Sequence, residues 1–157
     1  MKQLVLIILL TGCVFATSAQ TDFGIKAGVS LTFFNEDQGD FGLDAQTDVD
    51  YFGGVFLDVE ITEAFHIQPE LLYKGLGDFE FLNAPIYFKY NVGSNFSILA
   101  GPSLNYFFNF FANNFKVRAD VSAAYNLSSA LDINMKYTFG LEEVSPNVLF
   151  LGLGYRL

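Results

Sequence analysis

The chain has 157 residues, enough for one domain, with 52% hydrophobic residues and a formal net charge of −9. That charge argues against a nucleic-acid partner, which needs a basic patch. Cys13 is the only cysteine, so disulfides, thiol catalysis and cysteine metal sites are all excluded from a chain cut beyond it.

The N-terminus reads as a secretory signal. Lys2 provides the positive start, Leu4 to Leu10 the apolar stretch, and Thr17-Ser18-Ala19 a small-residue cleavage site. Cleavage after Ala19 leaves a mature domain of residues 20–157. A second processing route is open, because Leu10-Thr11-Gly12-Cys13 looks like a lipobox that would lipidate Cys13. Beyond this segment no run approaches the roughly 18 apolar residues of a membrane helix.

Eight alternating segments follow, at about 23–33, 51–61, 65–76, 81–90, 96–108, 115–126, 131–141 and 147–157. In the first, Phe23, Ile25, Ala27, Val29, Leu31 and Phe33 take one face, and Gly24, Lys26, Gly28, Ser30 and Thr32 the other. Period two is the signature of a strand with unlike faces. Tight connections at 62–64, 91–95 and 127–130 alternate with longer ones at 35–50, 109–114 and 142–146, and the connection at 76–80 is shorter than these. Short turns alternating with long loops suit an up-and-down barrel. Pro69, Pro85 and Pro102 fall inside strands and each removes a ladder donor, so a bulge or local irregularity is expected at each.

Every Lys and Arg of the mature chain (Lys26, Lys74, Lys89, Lys116, Arg118, Lys136 and Arg156) takes the polar slot of its segment. Three features turn that face inward. Glycines 24, 28, 54, 101, 140, 152 and 154 share the slots with the long charges, as a lumen just wide enough for side chains requires. Tyr51, Tyr73 and Tyr106 mark one rim, and Tyr90, Tyr125 and Tyr155 the other, all on the apolar face; Tyr87 alone breaks the rule. A lipid-facing Lys or Arg at mid-membrane costs about 2–4 kcal/mol. The expectation is all-β: an eight-stranded antiparallel transmembrane β-barrel, rather than an inside-out soluble one.

The inward acids are Asp58, Glu60, Glu70, Asp120 and Asp132, and with the seven bases they form an expected lumen charge network. Lys26, Asp58, Glu60, Lys89, Asp132 and Arg156 should share its periplasmic half. Such a network fits a structural, filled lumen, and an ion path is the functional alternative. His66, the only histidine, lies inward beside a turn without a G-x-S-x-G motif, which favours a lumen hydrogen bond over hydrolysis. No catalytic residues, cofactor or metal site is expected. Glu36, Asp37, Asp40, Asp44, Asp48, Asp50, Asp78, Glu80, Glu142 and Glu143 are assigned to acidic outer loops. Phe107, Phe108, Phe110, Phe111 and Phe115 form a hairpin tip that is either a partner site or ordinary wall.

FGIKAGVSLTF, IQPELLYKGLG, FLNAPIYFKYN, AGPSLNYFF and the closing LGLGYRL together resemble the PorT-like outer-membrane β-barrel family. In size and form the chain is similar to the OmpX and OmpA barrel type. The resemblance implies an outer-membrane barrel of a Gram-negative bacterium, with recurring prolines at the places of Pro69, Pro85 and Pro102. Its expected partners are outer-membrane lipid, the barrel-insertion machinery and a protein bound at the outer loops. A narrow channel and an accessory of a secretion apparatus are the alternatives. Leu157 stands where insertion signals usually end in Phe.

Overall fold

The computed structural model describes residues 21–33, 47–75, 80–108, 114–141 and 147–157. The signal segment 1–19, Cys13, Phe110 and Phe111, and the acidic residues 36, 37, 40, 44, 78, 142 and 143 lie outside them. The side chain of Asp48 is likewise not described.

Eight antiparallel strands form a closed barrel in sequence order. They are β1 (Thr21–Phe33), β2 (Thr47–Glu60), β3 (Phe65–Lys74), β4 (Phe81–Val92), β5 (Phe96–Phe107), β6 (Phe115–Asn126), β7 (Leu131–Phe139) and β8 (Asn147–Arg156). Closure comes from β1 pairing with β8, where Leu157 N–H also reaches the Phe23 carbonyl at 2.9 Å. Following the register from Thr21 through Val59, Ile67, Phe88, Ala100, Val121, Tyr137 and Leu149 leads back to Leu31, ten residues along β1. A stagger of that kind accompanies strands inclined to the barrel axis.

The alternation sorts as its physics demands. Ile25, Leu71, Phe88, Val121, Met135 and Leu153 are exposed on the outer wall, while Lys26, Leu72, Lys89, Asp120, Lys136 and Gly154 point inward and are buried. Tyr51, Tyr73, Tyr90, Tyr125 and Tyr155 are exposed near strand ends; Tyr87 is fully buried. The tight turns share one end, the turn end. Ser128 Oγ accepts the amides of Ala130 and Leu131 at 3.2 and 3.0 Å, and Gly93 turns the chain at φ 81°. That backbone angle suits glycine because it has no Cβ.

Inward glycines let the strands close. A Cβ on Gly28 would lie 2.1 Å from the Leu151 carbonyl oxygen, and one on Gly54 2.1 Å from that of Leu71. The prolines act without any change of register. Pairing lapses between Leu57–Asp58 and Gln68–Pro69, between Ala84–Pro85 and Glu70–Leu71, and between Ile86–Tyr87 and Gly101–Pro102. The expected irregularity is therefore an interrupted ladder, with no bulge at any of the three. The three lapses join corner to corner into one diagonal across β2 to β5.

Candidate functional site: the lumen

The nine-tenths-buried charges comprise five cations (Lys26, Lys74, Lys89, Arg118, Lys136) and five anions (Asp50, Asp58, Glu70, Asp120, Asp132) among the described residues. An isolated buried charge is costly, so this balance is a condition of folding.

Three layers follow from the register. Toward the loop end, Lys74 Nζ lies 2.8 Å from Asp50 Oδ2 and donates to Thr32 Oγ1 at 2.7 Å. Asp50, expected in an acidic outer loop, is instead carried inward by β2, which begins at Thr47, as the partner of Lys74. Beside this pair sits an apolar septum of Phe52, Leu72, Phe81, Phe107, Val148 and Phe150. Its rings interlock, with centroids 5.1 Å apart for Phe52–Phe150 and 4.8 Å for Phe81–Phe107. Arg118 lies 5.4 Å from the Phe107 ring and Lys136 4.0 Å from that of Phe150, so cations cap the septum through the aromatic faces.

The middle layer is centred on Asp120. It accepts from Ser103 Oγ at 2.8 Å, Asn83 Nδ2 at 3.2 Å and Tyr87 OH at 3.3 Å, and Lys136 Nζ stands 3.9 Å away. Lys136 also donates to Asn83 Oδ1. Tyr87 breaks the tyrosine pattern because its hydroxyl serves this cluster. Lys26 pairs with Glu70, which also accepts from Gln68 at 2.7 Å. Lys26, in the turn-end half of β1, thus reaches Glu70 of β3.

At the turn end Asp58 bridges Lys89 and His66, the latter at 2.8 Å to Nδ1. The other ring nitrogen faces Asn91 Nδ2 at 3.0 Å. Asn91 Nδ2 also reaches the Glu63 carbonyl at 3.2 Å, while its Oδ1 accepts from Ser97 Oγ at 2.8 Å. That assignment orients the amide, makes Nε2 an acceptor and puts the imidazole proton on Nδ1, facing Asp58. Both ring nitrogens of His66 are thus engaged in side-chain hydrogen bonds of the lumen. Arg156 donates to Asn126 Oδ1 at 3.0 Å and lies 4.0 Å from Asp132. Glu60 and Lys116 are half-buried, and Glu60 stands opposite His66 in the register.

The Phe-rich segment divides. Phe107 is in the septum, whereas Phe108 and Phe115 face outward. Tyr106 contacts both rings, with centroids 5.2 and 4.9 Å away, and Phe108 also meets Tyr73 at 6.1 Å. They form an aromatic strip along the loop-end rim. Glu80, assigned with the outer acids, is half-buried just before β4. No group of three or more His, Cys, Asp or Glu residues that could hold a metal occurs among the described residues.

No protein-family model matches the chain, and no curated protein matches it. Solved structures do. The N-terminal β-barrel domain of Pseudomonas aeruginosa OprF matches with a TM-score of 0.58 at 13% identity, over 89% of this chain and 100% of that one. The Yersinia pestis outer membrane protein Ail, solved in a phospholipid bilayer nanodisc, matches at 0.53 and 14%, over 88% and 100%. The outer membrane protein OprG from Pseudomonas aeruginosa matches at 0.51 and 15%, over 88% and 97%. At these identities the likeness is one of fold: the chain is a closed eight-stranded barrel of the kind found in small outer-membrane proteins.

Proposed function

We propose that this protein is an integral outer-membrane barrel whose lumen is structural and closed to ions, and whose work is done at its surfaces. The septum carries this reading. Six buried apolar side chains from β2, β3, β4, β5 and β8 pack together in the lumen next to the Lys74–Asp50 pair, and Lys136, against the Phe150 ring, stands 3.9 Å from Asp120. A conducting pore needs a continuous wet path, which a filled small barrel does not provide. The turn end is the periplasmic end in this reading, and export with cleavage after Ala19 delivers the chain there. The loop end carries the aromatic strip and the acidic loops to the exterior, where a protein partner would meet them. The resemblance of five strand segments to the PorT-like family agrees with the location.

Reconstitution into planar bilayers tests the closed lumen. The expected trace is silent. Steady openings whose conductance scales with salt would refute it and favour the channel.

A further inference from the structure

A hollow of about 330 Å³ is bordered by the outward residues Phe96, Ala123, Tyr125, Ile133, Met135 and Leu151, together with Ala124, Asn134 and Gly152 from the inward slots between them. Ala123 creates it. It occupies an outward slot of β6 with a one-carbon side chain, while the larger side chains of β5, β7 and β8 stand up around it. The hollow has a direction. Phe96 and Tyr125 lie at the turn-end rim, and Met135 and Leu151 lie near mid-strand in β7 and β8. It therefore runs from one interface toward the middle of the wall. In a bilayer that is the course of a single acyl chain of the periplasmic leaflet.

The rim above it selects a headgroup. The two turns that flank the hollow, Gly93-Ser94-Asn95 and Leu127-Ser128-Ser129-Ala130, carry no charged residue, unlike the turn that contains Glu63. Arg156, near the end of β8, is committed to the Ser129 carbonyl at 3.1 Å, to Asn126 and to Asp132. Hydroxyls and amides without net charge suit a zwitterionic headgroup, and an anionic one would find no unengaged cation on these turns.

We infer that the hollow is a binding site for one acyl chain of a zwitterionic phospholipid in the periplasmic leaflet. The inference rests on the outer-membrane reading above.

The full-length protein is reconstituted into nanodiscs of equal parts phosphatidylethanolamine and phosphatidylglycerol, released into mild detergent and weighed by native mass spectrometry. Wild type should retain one phosphatidylethanolamine. Ala123→Leu, which fills the hollow from the lipid side, should reduce that retained species at least tenfold, and Ala123→Val should reduce it less. Heat-modifiable gel migration verifies that each variant is folded. Equal retention by folded Ala123→Leu overturns the site, and so does preferential retention of phosphatidylglycerol. A wild-type dimer that Ala123→Leu dissolves would assign the hollow to a second copy instead. Failure of the wild type to enter bilayers at all would overturn the membrane reading itself, and is seen before any lipid is counted.

Discussion

Asp120 holds the middle of the lumen together, and its removal is the sharpest test of the network. Asp120→Ala strips a partner from Ser103, Asn83 and Tyr87 and leaves Lys136 without its nearest carboxylate, 3.9 Å away. A buried donor left unsatisfied costs about 1–3 kcal/mol, and breaking a buried ion pair about 3–5 kcal/mol. The terms overlap, since Asn83 keeps Asn105 at 3.0 Å and Lys136 keeps Asn83 and the Phe150 ring. The net expectation is a loss of about 5 kcal/mol, a large share of the roughly 5–15 kcal/mol of a typical domain. The chain has no tryptophan, so unfolding by urea in detergent micelles is best followed by far-UV circular dichroism and gel migration. With a slope of about 2 kcal/mol per molar urea, the midpoint should fall by about 2–3 M. Asp120→Ala combined with Lys136→Met should recover a substantial part, because the stranded cation is gone. A midpoint within about 0.5 M of wild type for the single variant, or a double variant no better than the single, would refute the argument.

Other outcomes follow from the wall. Val121→Lys, on the outward face of mid β6, should destabilise by about 2–4 kcal/mol, whereas Tyr155→Lys at the rim should cost about 0–1 kcal/mol, both read as unfolding midpoints in lipid vesicles. Gly28→Ala should cost about 1–3 kcal/mol, because its Cβ would meet backbone atoms of Leu151 and Gly152 at 2.1 and 2.6 Å. Gly53→Ala, with only the Lys26 carbonyl at 3.8 Å, should stay within about 0.5 kcal/mol of wild type in the same assay.

Sidedness was legible because it is local. A polar slot can be read from two neighbours, and seven cations in polar slots say which way the strands face. Long-range pairing was not legible. Lys26 meets Glu70, 44 residues away, and Lys136 meets Asn83, 53 residues away, and both depend on a stagger that no single segment contains. Asp50 was misplaced for a different reason. Thr47-Asp48-Val49-Asp50-Tyr51 already alternates, but its acids blend with those of the preceding loop. Tyr87 was visible as the exception among the tyrosines, though its purpose needed the position of Asp120. The septum was half visible. Phe52, Phe81, Phe107 and Leu72 could be read as inward, but that they share a level with Phe150 and Val148 follows only from closure. The hollow at Ala123 had no sequence signal, since an alanine on an outer wall is ordinary until its neighbours are known.

The diagonal of interrupted pairing makes the barrel a hoop of uneven stiffness. From β5 through β6, β7, β8 and β1 to β2 the described ladders run unbroken, while the arc from β2 to β5 is stitched only above and below its prolines. Under changing lateral pressure such a hoop does not flex evenly. The arc expected to yield first is the one lined by Glu70 and Tyr87, where the pairing is interrupted. The far arc, with the hollow at Ala123, has the continuous pairing that should resist such a change.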